Sequence, residues 1–322
     1  MFDSILVPLD GSLLAECVLS HVVAVAQAFD SKVTLLRVLD RHADGELGQS
    51  MDLLNWQIAK TDAKFYLEKI TASLSESGIQ VHEEVLEGLA AETVTEYARS
   101  HRMQLIILSS HGNTGLSKWG ISSVTQKIIY GAPSSVMLIR ARRPMTGELI
   151  LRDRPYQRIM APLDGSWRAE NVLPTTTLLS RFHRSKIHLV HVVKTPEMAR
   201  HMPLANEDLD LSNRIVARNR EEAVRYLDQM RLHSPMVDLD LKTHLLTSDN
   251  AAAALHELVD TEQIDLMILS AHGYSGHQQW PYGSMVNNFI LYGQVPLLIV
   301  QDLPIKEESA QAATAFREHP EH

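Results

Sequence analysis

The chain has 322 residues, of which 45% are hydrophobic and 21% are charged, and its formal net charge is −9. This length exceeds one ordinary hydrophobic core and predicts two domains of about 150 residues each, and the composition argues against extensive disorder. The acidic balance argues against a nucleic-acid partner, because capture of nucleic acid needs a concentrated basic surface.

Cysteine usage and apolar runs bear on the cellular compartment. Cys17 is the single cysteine, so no internal disulfide can form. The first residues include Asp3 and Pro8 and lack the basic-then-apolar layout of a signal peptide. No apolar run approaches the roughly 18 residues that a membrane span requires. We therefore expect a cytoplasmic protein that does not enter the membrane.

Short apolar runs alternate with helical patterns along both halves of the chain. Each half opens with a strand-like run that leads through Asp-Gly-Ser into a helix, for which Ser12 and Ser166 are placed as N-caps. The predicted strands are residues 5–9, 32–39, 80–86, 104–108 and 136–139, then 159–163, 186–193, 238–246, 265–269 and 297–300. Further predicted helices are 63–70 and 90–99, matched in the second half by 223–230 and 251–259.

The same motifs recur in the same order, so the chain is a tandem repeat. The sequence Asp-Gly-Ser at residues 10–12 returns at residues 164–166, and the His-Gly pair at 111–112 returns at 272–273. Strands that alternate with helices predict a parallel sheet with helices on both faces. The predicted fold class is α/β, with two tandem doubly wound five-stranded parallel-sheet domains. We place them at residues 1–142 and 157–303, with a linker at 143–156 and a flexible tail at 304–322.

Polar motifs stand at the predicted carboxyl ends of the strands, where ligands bind in open parallel sheets. Each half has three such motifs: an Asp after the first strand, a His-Gly pair after the fourth strand, and a small-residue pair before the next helix. The small-residue pairs are Ser122-Ser123 and Gly283-Ser284. Because backbone amides at a helix N-terminus favour an anion, these loops predict a phosphate ligand.

These motifs resemble the universal stress protein family over nearly all of residues 1–303. In nucleotide-binding members, the loop has the spacing Gly, two residues, Gly, nine residues, Gly, then Ser or Thr, and it wraps the phosphates of ATP. The second half departs from this spacing only at Ser270, whereas the first half keeps only Gly112 and has Ser109 and Ser122 at the other positions. The resemblance implies a Rossmann-like fold of the adenine nucleotide alpha hydrolase type, with an ATP-type nucleotide bound mainly in the second domain.

The resemblance also implies which residues contact the nucleotide. Asp164 and Asp10 would contact the nucleoside or help to hold Mg²⁺, and Val192 and Val38 would contact the adenine. The implied second-domain set is Pro162, Asp164, Val192, Ser270, His272, Gly273, Gly283, Ser284 and Met285. The implied first-domain set, which is degenerate, is Pro8, Asp10, Val38, Ser109, His111, Gly112, Lys118, Ser122 and Ser123. Lys118 corresponds to Gln279, so this candidate phosphate cation exists only in the first half.

Structural roles compete with these assignments. The aspartates can instead close Asx turns, and the two loop histidines can form hydrogen bonds within the protein. A serine at a glycine position would cost about 1–2 kcal/mol if the backbone there were left-handed. We expect Trp119 and Trp280, which recur inside the loops, to pack or to make dimer contacts. His188 and His191 lie three apart on a strand and face opposite sides, so they cannot chelate one metal together.

Three functions are compatible with these features. The first is a tandem universal stress protein that binds ATP and Mg²⁺ and acts in stress tolerance, with its domains paired through residues 136–139 and 297–300 or assembled further as a homodimer. The second is a scaffold that binds partner proteins and no nucleotide. The third is slow ATP hydrolysis or phosphotransfer. The sequence names no catalytic residue for the third, since it has neither a Walker-type loop nor a Gly-x-Ser-x-Gly elbow.

Overall fold

The computed structural model describes residues 1–40, 53–112, 120–141, 156–196, 206–232, 236–274 and 281–302. Among these residues, no helix combines the length and the apolar character that a membrane crossing needs. The predicted tail and all of the predicted linker except Tyr156 lie outside the described residues.

Strands and helices alternate through both halves. The first half contains β1 Ser4–Pro8, α1 Leu13–Glu16, α2 Leu19–Phe29, β2 Lys32–Leu39, α3 Leu53–Glu76, β3 Val81–Glu87, α4 Ala90–Ser100, β4 Leu105–Ser109, α5 Ser123–Gly131 and β5 Ser135–Ile139. The second half contains β6 Arg158–Pro162, α6 Trp167–Glu170, α7 Leu173–His183, β7 Lys186–Lys194, α8 Asn206–Arg231, β8 Leu241–Ser248, α9 Ala251–Thr261, β9 Leu266–Ser270, α10 Ser284–Tyr292 and β10 Leu297–Val300.

The strands of each half form a parallel array. The order is β3-β2-β1-β4-β5 in the first half and β8-β7-β6-β9-β10 in the second. Strands β5 and β10 pair antiparallel, with Leu138 opposite Leu297 and Val136 opposite Ile299, so the ten strands form one sheet. The predicted α/β class with two tandem five-stranded parallel units is confirmed. The strand order reverses between β1 and β4 and between β6 and β9, where such sheets form a crevice for ligands.

Helices cover the sheet on both faces, which is why the central strands are apolar at nearly every position. In the first half, Ile5 packs with Val22 of α2 and Leu67 of α3 on one face. The next strand residue, Leu6, packs with helices α4 and α5 on the other face, for example against Ile129. The second half repeats this arrangement.

The helix predicted after each Asp-Gly-Ser motif is divided in two. The first pieces, α1 and α6, end at Glu16 and Glu170, and the longer pieces begin at Leu19 and Leu173. In the second half, Pro174 has no N–H to donate to the carbonyl of residue 170, so one uninterrupted helix cannot form there. The predicted caps are confirmed, since the hydroxyl oxygens of Ser12 and Ser166 accept hydrogen bonds from backbone amides of their short helices.

Two local features differ from the sequence-based expectation. Strand β8 begins at Leu241 rather than at residue 238, because residues 236–239 form a turn in which the amide of Leu239 donates to the carbonyl of Met236 at 3.1 Å. Tyr156, expected in the linker, is fully buried, and its hydroxyl lies 2.8 Å from Nδ1 of His21 in α2. Tyr156 therefore belongs to the hydrophobic core that residues of both halves form on one face of the sheet.

Candidate functional site

The Asp-Gly-Ser motif forms a tight turn at the end of the first strand of each half. In the second half, Oδ1 of Asp164 accepts hydrogen bonds from the amide of Ser166 at 3.0 Å and from its hydroxyl at 2.6 Å. Gly165 has φ +83°, a left-handed conformation that glycine adopts without strain. Asp10 makes the same two contacts to Ser12. The Asx turn, which was one alternative for these aspartates, is thus present in both halves.

The other carboxylate oxygen of Asp164 fixes the His-Gly loop. It accepts a hydrogen bond from the amide of Tyr274 at 2.7 Å. A side chain at Gly273 would collide with this oxygen, and one at Gly112 would collide with Asp10 in the same way. Because Gly112, Gly273 and Gly283 do not have positive φ values, glycine is required at the first two positions for close packing and not for a left-handed backbone.

The two halves differ at the helix that follows this loop. Helix α5 is capped by Ser122, whose hydroxyl oxygen accepts a hydrogen bond from the amide of Thr125 at 3.1 Å. Helix α10 has Gly283 at the same position and no side-chain cap. The amides of both cap residues donate at 2.8 Å to the carbonyls of Ser110 and Ala271, so the loops close alike. Gly283 thus offers no side-chain oxygen to the first-turn amides of α10, and within the described part of the chain these amides have no side-chain cap, which makes them suited to an anion.

A cavity of about 380 Å³ lies at the carboxyl ends of β6, β7 and β9. Its volume is within the usual range of small-molecule sites, roughly 300–1,000 Å³. All nine residues predicted for the second-domain site line it: Pro162, Asp164, Val192, Ser270, His272, Gly273, Gly283, Ser284 and Met285. Their role as nucleotide contacts stays a prediction, but the fold brings the whole predicted set together.

The corresponding cavity in the first half is smaller, at about 260 Å³. Seven of the residues predicted there line it: Pro8, Asp10, Val38, Ser109, His111, Gly112 and Ser122. Ser123 is not among the lining residues. Lys118 and Trp119, like Gln279 and Trp280 in the second half, lie outside the described residues.

The loop histidines are buried and engaged within the protein. Nδ1 of His272 lies 2.8 Å from Oδ1 of Asp302, whose side chain is fully buried. Nδ1 of His111 lies 3.0 Å from the hydroxyl oxygen of Ser110. At Nδ1, both histidines therefore make the hydrogen bond within the protein that was the structural alternative to a phosphate contact. Sequence reasoning missed Asp302, although its position two residues after the last strand places it at the ligand edge of the sheet.

Sequence reasoning also missed two basic residues that line the larger cavity, His191 and Lys194. Both belong to the carboxyl end of β7, from which only Val192 was predicted. Burial lowers the pKa of His191 and favours its neutral form. The side chain of Lys194 is exposed at the end of the strand, so it is the positive charge that the described part of the cavity offers to an anionic ligand.

The family resemblance implies Mg²⁺ as well as a nucleotide. Asp164 is the one carboxylate among the described residues that line the cavity, and each of its oxygens already accepts hydrogen bonds. Mg²⁺ commonly binds through one or two carboxylates together with substrate phosphates and water. The residues present therefore fit Mg²⁺ that arrives with a nucleotide, and not a resident ion held by protein ligands alone.

Comparison with known proteins identifies the family. The model of the universal stress protein family matches residues 1–140 and again residues 155–301. Universal stress protein MJ0531 of Methanocaldococcus jannaschii is 27% identical over 146 residues, which are 44% of this chain and 83% of that protein. Among solved structures, a universal stress protein of Archaeoglobus fulgidus covers 94% of this chain and 100% of its own (TM-score 0.63, 14% identity). The functionally unknown protein PA1789 of Pseudomonas aeruginosa covers 98% of both chains (TM-score 0.66, 15% identity). The chain belongs to the universal stress protein family, of which it contains two copies of the domain.

Proposed function

We propose that this protein binds one ATP-type nucleotide per chain, in the cavity of its second half. The observation that carries the proposal is the start of α10, where Gly283 at the N-cap offers no side-chain oxygen to the first-turn amides. The loop that precedes the helix is held by Asp164 through the amide of Tyr274. A phosphate at this point would accept main-chain hydrogen bonds and would lie at the positive end of the helix dipole.

The rest of the cavity suits a purine nucleoside. Val190, Val192, Leu255 and Leu269 line an apolar part, which would receive the base. Lys194 lies on the same cavity and would add a charge to the phosphate contacts. Apolar surface beside a few convergent polar groups is the usual character of a small-molecule site.

The first half lacks the feature that supports the second site. The hydroxyl oxygen of Ser122 already accepts a hydrogen bond from the amide of Thr125 in α5, and the cavity is smaller by about one third. We therefore assign the nucleotide to the second half. Pairing of the halves within the chain, a homodimer, a cytoplasmic location and a role in stress tolerance belong to the same proposal. The register of β5 against β10 supports the pairing.

Isothermal titration calorimetry with ATP and Mg²⁺ tests the proposal. We expect one nucleotide per full-length chain, with weaker binding in Asp164→Asn, because an amide cannot accept all of the hydrogen bonds that order the loop. Asp10→Asn is the matched control, since Asp10 makes the same turn in the other half. Two bound nucleotides, or equal losses in the two variants, would reject the assignment to the second half. No heat and no thermal shift at millimolar ATP would reject nucleotide binding.

One observation favours the scaffold as an alternative. Trp167 and Tyr274, which flank the two loops of the site, are 70% and 88% exposed. Large apolar side chains exposed together are typical of contact surfaces. The scaffold hypothesis predicts a protein complex that survives ATP addition and is lost in the double variant Trp167→Ala, Tyr274→Ala, without any nucleotide bound to the chain alone.

The pair formed by His272 and Asp302 favours slow hydrolysis as the third candidate. A buried carboxylate on one ring nitrogen orients a histidine for proton transfer at the other, and His272 lines the cavity. This hypothesis predicts that the unmodified chain produces ADP from ATP, and that Asp302→Asn produces it more slowly while its affinity for ATP is retained. Equal release by the variant would exclude a role of this pair in turnover.

A further inference from the structure

A second cluster of ligand-type side chains lies away from the nucleotide cavity, towards the amino ends of β7 and β8. It consists of His188 on β7, His244 on β8 and Glu262, which directly follows α9. Nδ1 of His188 lies 3.0 Å from Nε2 of His244 and 3.7 Å from Oε2 of Glu262. The three potential ligand atoms all lie within 4.8 Å of one another.

Strand register explains how the two histidines meet. Val190 of β7 stands opposite His244 of β8, and His188 is two residues before Val190. Residues two apart on a strand face the same side, so His188 and His244 share the face covered by α9. Their rings are stacked with centroids 5.1 Å apart and planes inclined by 11°. His191 faces the other side, against Tyr226 of α8, so the expectation that His188 and His191 do not chelate together agrees with the structure.

We propose that His188, His244 and Glu262 bind one divalent transition-metal ion of the Zn²⁺ type. Ligand atoms at about 2.0–2.1 Å from tetrahedral Zn²⁺ are roughly 3.3 Å apart. The separations of 3.0 and 3.7 Å from Nδ1 of His188 lie on either side of that value, and all three ligand atoms lie within 4.8 Å of one another. Two imidazole nitrogens and a carboxylate oxygen are a donor set that favours Zn²⁺, Co²⁺, Ni²⁺ or Cu²⁺ over Mg²⁺ or Ca²⁺.

The protonation states of the histidines suit metal binding. Burial and the neighbouring His244 lower the pKa of His188 to about 4, and burial also lowers the pKa of His244. Both rings are therefore neutral at pH 7, the form in which imidazole binds a metal. His188 is almost completely buried, and Nε2 of its ring has no hydrogen-bond partner among the residues that the structure describes. Nδ1 is the nitrogen that faces the cluster.

The ammonium group of a lysine already contacts the cluster. Nζ of Lys242 lies 2.8 Å from Oε1 of Glu262. The other oxygen, Oε2, is the one near His188, so the metal would take a single carboxylate oxygen. The ammonium reduces the charge that this carboxylate offers, and it makes a specific prediction: removal of Lys242 should strengthen metal binding.

The first half provides an internal comparison. Leu36 of β2 stands opposite Glu84 of β3, as Val190 stands opposite His244, so Glu84 takes the place of His244 and Thr34 that of His188. His101 follows α4 as Glu262 follows α9. The ring of His101 stacks on the ring of Tyr97, with centroids 3.9 Å apart. Among the described residues, the cluster in the second half is the one group of three such ligands that could hold an ion. The proposed metal site is therefore a feature of the second domain and not of the shared fold.

Zn²⁺ titration of the chelator-treated, full-length chain without nucleotide tests this inference by calorimetry. We expect His244→Gln and Glu262→Gln to weaken the affinity of the cluster for Zn²⁺ at least about tenfold. The titration of each variant should therefore show one equivalent of tightly bound Zn²⁺ fewer than that of the unmodified chain. Lys242→Gln should bind more tightly than the unmodified chain. The matched control is His256→Gln, which removes a histidine of the same half whose Nε2 lies 2.8 Å from Oδ1 of Asn288, away from the cluster. The control should keep the full stoichiometry.

Co²⁺ provides a readout of geometry. Binding at the cluster should produce visible d–d absorption that is present in the unmodified chain and in His256→Gln and absent in His244→Gln. Circular dichroism of each metal-free variant checks that the fold is retained. The proposal is overturned if the unmodified chain binds no Zn²⁺, or if His244→Gln and the unmodified chain bind the same number of equivalents with the same affinity.

Discussion

The cap of α10 offers the most direct test of the phosphate contact, through the substitution Gly283→Ser. Gly283 has φ −69° and ψ 165°, close to the φ −72° and ψ 156° of Ser122 at the equivalent cap. The nearest atom to a side chain added at Gly283 is the carbonyl oxygen of Ala271, 3.6 Å away, which is an ordinary contact. A serine therefore fits this position without strain.

The introduced hydroxyl should cap α10 as Ser122 caps α5, and thereby occupy an amide that the phosphate needs. Serine in place of glycine at an N-cap is worth a few tenths of a kcal/mol, so stability should rise slightly. A hydrogen bond from an amide to a charged group is worth about 1.5–3 kcal/mol. Its loss corresponds to an affinity for ATP about 10- to 150-fold weaker.

Calorimetry with ATP and Mg²⁺, together with urea unfolding, measures the two effects separately. Ser122→Gly is the control, because it removes the corresponding cap from the first half and should leave the affinity of the second site unchanged. The reasoning is refuted if Gly283→Ser is folded and binds ATP within twofold of the unmodified chain, since the phosphate then does not use these amides.

Three further outcomes are expected. Gly273→Ala and Gly112→Ala should each lower the free energy of unfolding by about 1–3 kcal/mol in urea titrations, because the added methyl collides with Asp164 or Asp10. Only Gly273→Ala should also weaken ATP binding. A neutral effect of both variants on stability would contradict the packing argument. Tyr282→Phe should lower the free energy of unfolding by about 1 kcal/mol, because the buried hydroxyl of Tyr282 donates to the carbonyl of Ile129 in the other half at 2.9 Å. Tyr274→Phe, at an exposed ring, should change the free energy of unfolding by less than about 0.5 kcal/mol. Equal effects of the two variants would show that the hydrogen bond between the halves adds nothing to stability. Burial raises the pKa of the Cys17 thiol, so a thiol reagent should label the native chain at pH 8 more slowly than the urea-unfolded chain and faster as the pH rises further; equal rates at pH 8 would disprove this.

The sequence by itself determined the repeat, the α/β class and the edge of the sheet where the loops meet. These features depend on local patterns: apolar runs fix strands, helical periodicity fixes helices, and Asp-Gly-Ser carries its own turn and cap within three residues. The nine residues predicted for the second site line one cavity because parallel strands place their carboxyl ends together. The split of the first helix in the second half was also readable in principle, from Pro174.

Only the tertiary structure decided how these residues are used. That Gly283 stands at the N-cap of α10 depends on where that helix begins in the folded chain, and the orientation of His272 depends on Asp302, 30 residues further along the chain. The proximity of His188 and His244 depends on the register of β7 against β8, with a long helix between the two strands. Each is a contact between distant segments, which no local periodicity encodes and which forms only when the sheet and its helices have assembled.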